Sequence, residues 1–192
     1  MKRRTRVGAL GSFLLLVAGC SSTYADGPYR ARVVDLETKQ PIQGAAVVAV
    51  WVKESGILVP HPIETIEDVQ ETVTDENGEF VFESYKGTPP GPFEELGKPI
   101  FTIFKPSYQV YGHGGLPKTL VVELRPWKPS EQKERRLRLT APPSWCYGSS
   151  TRLAPHLKNK NNCPNMFRLV NLERKALGLT GELYYRPEGE KK

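Results

Sequence analysis

Short apolar segments separated by glycine- and proline-rich turns constrain the fold of this chain more than any other feature. Over residues 29–125 the apolar side chains follow the two-residue period of strands, and no helical period interrupts them. The seven segments with this pattern cover residues 29–36, 45–52, 69–74, 80–82, 100–104, 108–111 and 119–124. About seven short strands in roughly a hundred residues are typical of an antiparallel, immunoglobulin-like sandwich. We therefore predict an all-β fold of that kind.

Residues 45–52 and the turns around them give the strongest local signals. The segment AAVVAVWV is apolar at every position, which predicts a central strand buried on both faces. Pro41 fixes φ at the corner before this strand, and Gly78 permits the positive φ of a tight hairpin turn. Two connections, 53–68 and 85–99, are longer than a minimal sandwich needs. We interpret them as loops, which either only link strands or carry binding residues.

Three motifs in this region are similar to those of the carboxypeptidase regulatory-like domain. Residues 38–47 match a T-x-x-P-I-x-G-A-x-V corner, and residues 74–80 match a T-D-x-x-G-x-F hairpin. Residues 105–108 resemble a K-x-G-Y element, with Ser107 where glycine is usual. The resemblance covers residues 29–125 and implies a seven-stranded transthyretin-like sandwich. It implies little about activity, because one fold hosts many functions.

The first twenty residues have the pattern of an export signal. Four cations precede a short apolar run at 13–17, which is too short to cross a hydrocarbon core of ~30 Å. The sequence Val17-Ala18-Gly19-Cys20 resembles the lipobox of bacterial lipoproteins. This resemblance implies a signal peptide at 1–19, acylation of Cys20 with fatty acids such as palmitate, and a lipidated tether at 20–28. The alternative is an ordinary signal peptide with a chance cysteine.

The residue after the cysteine bears on location. In enteric-type bacteria an Asp there resembles an inner-membrane retention signal, whereas this chain has Ser21. We therefore expect a protein anchored in the outer membrane through Cys20 and facing the periplasm. Without the four cations of the signal the net charge falls from +6 to +2. That balance and the compartment both argue against a nucleic-acid partner.

Two cysteines and one helical pattern characterise the C-terminal extension at 126–192. Cys146 and Cys163 are expected to form a disulfide, because disulfides persist in exported proteins. Free thiols or a metal pair are the alternatives, although a metal lacks ligands here beyond His156. Pro164 suits the first position of a helix, and the apolar pattern predicts a helix near 164–177. This helix packs either on the sandwich or on a partner.

No catalytic motif is recognisable, so we predict neither an enzyme nor a bound cofactor or metal. The most suggestive candidate binding residues are Tyr108, Tyr111 and His113, which lie in or beside the glycine-rich stretch 112–115. Core packing of the tyrosines is the alternative.

We expect a non-catalytic interaction module that binds an envelope protein or a glycan. One alternative is a small-molecule-binding protein or enzyme that uses the loop around His113, and another is a purely structural envelope protein. A pocket lined by His113 with converging tyrosines or acidic groups would favour the small-molecule hypothesis. A flat aromatic or apolar patch would favour the interaction module.

Overall fold

The computed structural model describes residues 24–56, 58, 60–61, 63–87, 89–138, 146, 152–158, 161–181 and 183. The predicted signal peptide, the lipidation site Cys20 and the last nine residues lie outside this description.

Ten strands and two α-helices make up most of the described residues. The strands are β1 (Tyr24–Asp26), β2 (Tyr29–Asp35), β3 (Ala46–Ser55), β4 (Ile63–Val73), β5 (Glu79–Phe82), β6 (Tyr85–Gly87), β7 (Glu94–Leu96), β8 (Ile100–Phe104), β9 (Tyr111–Gly114) and β10 (Val121–Leu124). The helices are α1 (Gln132–Arg138) and α2 (Pro164–Ala176), and short 3-10 turns occupy Pro129–Glu131 and Pro155–Leu157.

The prediction of an all-β sandwich with a partly helical C-terminal part is confirmed. A small sheet has the order β10-β2-β5, and a large sheet has the order β4-β3-β8-β9, with β7 paired to the outer half of β3. Six of the seven predicted strands are present. The strand predicted at 108–111 is misplaced, because residues 108–110 lie outside the strands and β9 begins only at Tyr111. The expectation of purely antiparallel pairing is wrong for β10, which runs parallel to β2.

Strand β3 is buried on both faces, as its sequence predicts. One face carries Val47, Ala49 and Trp51, which pack with the small sheet in the core between the two sheets. The other face carries Ala46, Val48 and Val50, which pack against the C-terminal extension. The apolar run is continuous because this strand lies in the middle of three layers.

Helix α2 forms the third layer and packs on the sandwich. The buried apolar side chains of α2 are Met166, Phe167, Leu169 and Val170. They belong to one core with Ala46, Val48, Val50 and Phe104 of the large sheet. The predicted disulfide is also confirmed, since Cys146 and Cys163 are bonded with both cysteines buried. The alternative that α2 presents its apolar face to a partner is therefore wrong.

The two connections predicted as loops contain strands. Residues 53–55 of β3 pair with residues 63–65 of β4 on one side and with β7 on the other. This three-stranded extension, called the arm below, projects beyond the end of the small sheet. The segment 85–99 contains β6 and β7, which have three residues each. These strands are too short to give a periodic pattern, so the segment has the sequence character of a loop.

A two-stranded ribbon of β1 and β6 packs against the base of the arm. Trp51 stacks on Tyr85 with ring centroids 5.8 Å apart, and its indole N–H donates to Asp26 at 3.0 Å. The prediction of a flexible tether at 20–28 is wrong for Tyr24–Asp26, because these residues form a paired strand.

Candidate functional site

Tyr108, a predicted binding residue, joins two distant turns of the sandwich. Its hydroxyl donates to Asp35 Oδ2 at 3.0 Å, and its ring packs against the core between the sheets. Asp35 also accepts the backbone N–H groups of Glu37 and Thr38 at 2.8 Å each. The Thr38 N–H is the main reason that the pKa of Asp35 lies below its ordinary value. Burial and the Asp35 contact raise the pKa of Tyr108. Both hydrogen-bonding groups are therefore engaged inside the fold.

Tyr111 closes the glycine-rich loop on itself. Its hydroxyl donates to the carbonyl oxygen of Gly115 at 2.6 Å, and its ring packs against the edge of the same core. His113 belongs to β9, but its side chain lies outside the described part of the structure. Within the described part of the structure the two tyrosines do not line a common cavity, and each has a structural contact for its hydroxyl.

A groove opens beside this loop, and it is the candidate site. Three segments distant in sequence form it, namely the start of β2, the start of β8 and the connection from β9 to β10. The groove has a volume of about 430 Å³ and is lined by Pro28, Tyr29, Arg30, Lys98, Pro99, Phe101, Gly115, Leu116, Pro117, Lys118 and Leu120. The sequence indicates the loop but not the other residues of this lining. The available signal was the pairing of lysine with proline at 98–99 and 117–118.

The floor of the groove is apolar. Phe101 is 1% exposed and contacts Tyr29 edge to face, with ring centroids 5.7 Å apart. Leu116 packs against the same core. Leu120, in contrast, is 51% exposed, so the groove offers an aliphatic side chain to solvent.

The backbone of Leu120 is held in a conformation that its side chain disfavours. Its φ is 55°, in the left-handed region, which costs an L-residue about 1–2 kcal/mol. Two hydrogen bonds hold it there, since its N–H donates to Pro117 O and its carbonyl accepts from Arg32 N, both at 2.9 Å. Such strain is more frequent at functional sites than elsewhere.

The rim of the groove is positively charged. Arg30, Lys98 and Lys118 are all exposed, and none of their side chains has an ion-pair or hydrogen-bond partner among the described residues. No acidic residue is among those that line the groove. An anionic group next to an apolar segment therefore complements this surface best.

A second depression, of about 530 Å³, lies against the arm and has a different character. It is lined by Ile63, Glu64, Thr65, Arg152, Leu153, Ala154 and Pro155. Arg152 and Glu64 form an ion pair at 2.6 Å within it. Because its charges satisfy each other, this depression offers less to a charged ligand than the groove does.

Neither a metal-binding cluster nor a helix suited to cross a membrane is found among the described residues. Among the residues with described positions, no three His, Cys, Asp or Glu side chains are grouped so that they could hold a metal ion. Within the same part of the chain, no helix combines the length and the apolar character needed to cross a membrane.

No protein-family model matches the sequence, and searches of curated proteins and of solved structures found no match either.

Proposed function

We propose that the protein is a lipid-anchored, non-catalytic binding module of the bacterial cell envelope, and that its groove binds an acidic, partly apolar segment of an envelope protein. The anchor is Cys20, acylated in the outer membrane, with the sandwich in the periplasm. The observation that carries the proposed binding is the coincidence of three unpaired cations with an exposed apolar side chain and an apolar floor in one concave surface of the described residues. The lipobox-like sequence 17–20 supports the anchor.

The lining of the groove supports binding rather than catalysis. Among the described residues it contains no His, Cys, Ser, Thr, Asp or Glu, so it offers no hydroxyl or thiol nucleophile of the Ser, Thr or Cys type and no carboxylate or imidazole base. The hydroxyl of Tyr29 is already bonded to the carboxylate of Asp26 at 2.8 Å. Tyr108 and Tyr111 are not among the described residues that line the groove, and both hydroxyls are bonded inside the fold, which argues against a small-molecule site built on them.

The apolar floor supports a protein partner over a glycan. A sugar ring stacks on an exposed aromatic face, whereas Phe101 is almost fully buried and Tyr29 is partly buried. The exposed side chain of Leu120 and the prolines of the lining match the apolar side chains of a peptide instead.

The test is a charge reversal on the rim. The triple variant Arg30→Glu, Lys98→Glu, Lys118→Glu of the full chain is compared with wild type for binding to an array of peptides that vary in acidic and apolar content. Three exposed ion pairs of about 0.5–1 kcal/mol each predict a loss of affinity of about 10- to 100-fold. Binding should also weaken with salt.

A matched control places the same charge change elsewhere. Lys133→Glu, Arg136→Glu and Lys175→Glu reverse three exposed cations on α1 and α2, away from the groove. This variant should bind peptide as the wild type does. Equal affinity of the rim variant and the wild type would refute the groove as the binding site, and selection of neutral glycans over acidic peptides would refute the partner class.

A further inference from the structure

Three large apolar side chains are exposed at the far end of the arm. Leu58 is 77% exposed, Ile63 is 71% exposed and Phe93 is 56% exposed. They lie at the same end of the arm, because Ser55 pairs with Ile63 on one side and with Glu94, the neighbour of Phe93, on the other. Leu58 belongs to the hairpin that connects β3 to β4. We call these three side chains the apolar tip.

The N-terminal strand leads the preceding chain towards this tip. In the β1–β6 ribbon, Asp26 pairs with Tyr85 and Tyr24 pairs with Gly87. Asp26 is held at the base of the arm by Trp51, and the chain after Gly87 continues to Phe93 at the tip. Tyr24 lies beside Gly87, the residue from which the chain continues towards Phe93, and we infer that this end of β1 is the one nearer the tip. Cys20 precedes Tyr24 by four residues, which span at most about 14 Å.

We propose that the apolar tip inserts into the interface of the bilayer that holds the acyl chains of Cys20. This inference rests on the proposed lipid anchor. A short linker on the tip side keeps the arm close to the membrane, where exposed Leu, Ile and Phe side chains leave water for the boundary between headgroups and acyl chains. The occupant of this surface is the membrane itself.

The orientation leaves the groove accessible. Val50 pairs with Ile100, beside the groove residues Lys98 and Pro99, whereas Ser55 lies at the tip. Lys98 follows Leu96, which pairs with Lys53, and Gly97, whose N–H donates to the carbonyl oxygen of Val52. Three to four residues of β3 therefore separate the groove residues from the tip, which corresponds to about 10–13 Å along the strand. The cationic rim is therefore held away from the headgroups and open to a partner in the periplasm.

The charged residues near the apolar tip indicate which kind of lipid surface the tip can contact. Glu54 pairs with Glu64 on β4 and with Glu95 on β7, so three carboxylates lie side by side across the arm. Arg152 neutralises Glu64. Since the remaining carboxylates repel anionic headgroups, the contact depends on apolar burial, and it should form on zwitterionic phospholipid and persist in high salt.

The experiment uses the acylated full chain in phosphatidylcholine vesicles, with ordinary or brominated acyl chains. An environment-sensitive fluorophore is attached to Leu58→Cys at the tip. The matched control is Glu76→Cys, an exposed position in the turn between β4 and β5 at the opposite end of the sandwich. The native disulfide does not compete for the label, because Cys146 and Cys163 are buried and bonded. We expect brominated lipid to remove most of the fluorescence at Leu58→Cys and none at Glu76→Cys.

A second variant tests whether the apolar side chains cause the insertion. Ile63→Asp with Phe93→Asp, labelled at Leu58→Cys, should lose the quenching while the anchor remains. Quenching at both labelled positions, or at neither, would overturn the proposed orientation. Mass spectrometry of the same samples separates the two proposals. An unacylated Cys20 would overturn the anchor and with it this inference, whereas an acylated Cys20 with an unquenched tip would overturn the orientation alone.

Discussion

Glu71 is the residue that fastens the C-terminal helix to the sandwich, and its replacement gives the sharpest stability prediction. Its carboxylate accepts the N–H groups of Asn165 at 2.8 Å and Met166 at 2.7 Å, and the side-chain amide of Asn165 at 3.0 Å. These backbone donors belong to the first turn of α2 and have no acceptor within the helix. A side chain of β4 therefore acts as the cap of a helix almost a hundred residues later in the chain.

The size of the effect follows from the bonds that are lost. Glu71→Ala leaves two helix N–H groups without their acceptor, and hydrogen bonds to charged groups contribute about 1.5–3 kcal/mol each when one partner is removed. Water replaces part of this loss because the site is only half-buried. We expect the free energy of unfolding to fall by about 2 kcal/mol, measured by urea denaturation followed by circular dichroism. Glu76→Ala, in an exposed turn, should change it by less than about 0.5 kcal/mol.

The pH dependence of stability tests the electrostatic contribution of the cap. Burial raises the pKa of Glu71 above its ordinary value of 4.5, although the Asn165 and Met166 N–H groups and Arg168 oppose the shift. A raised pKa means that the folded state binds the proton more tightly than the unfolded chain does. The contribution of this group is therefore fully present below the unfolded pKa and is lost as pH rises through the folded pKa.

The neutral variant Glu71→Gln does not titrate, so it serves as the reference. Wild type should lose stability relative to Glu71→Gln as the pH rises from about 4 to about 7. A gain over that range would show that the helix donors outweigh burial. Such a gain would contradict the raised pKa of Glu71, whereas a cost of Glu71→Ala below about 0.5 kcal/mol would refute its role as the cap of α2.

Three further predictions concern other parts of the chain. Labelled palmitate should enter the wild-type protein and not Cys20→Ala, and equal labelling of both would contradict the anchor. The disulfide spans a sequence separation of 17 residues, so replacing Cys146 and Cys163 with alanine should lower the free energy of unfolding by about 3 kcal/mol in urea, whereas an unchanged midpoint would contradict this. Glu173 is 1% exposed and paired with Arg135, so Arg135→Ala should cost about 3 kcal/mol by the same assay; a cost below about 1 kcal/mol would show that water or another donor replaces the pair.

The elements that could be predicted from the sequence are those with a local pattern of residues. Six of the seven longer strands lie in segments that an alternating or continuous apolar pattern predicts, and α2 has both an apolar pattern and proline at its first position. The disulfide follows from two cysteines in a chain expected to be exported. Strands β1, β6 and β7 have three residues each, which is too few for a period to be recognised.

The features that the sequence did not reveal depend on contacts between distant segments. The parallel pairing of β10 with β2 is set by how the chain crosses between sheets, and no local pattern encodes it. The groove is assembled from three segments that span residues 28–120. Tyr108 is a candidate in sequence for its place beside a glycine-rich loop, but its hydroxyl is bonded to Asp35, which is 73 residues away.

Burial of β3 on both sides has a consequence for where this molecule can be divided. Ala46, Val48, Val50 and Phe104 are covered by the C-terminal extension, while the opposite side of β3 completes the sandwich interior. Ending the chain at residue 125 would expose a continuous apolar surface on the large sheet and favour self-association. Because the two parts share this core, we expect the sandwich and the extension to unfold together as one cooperative unit.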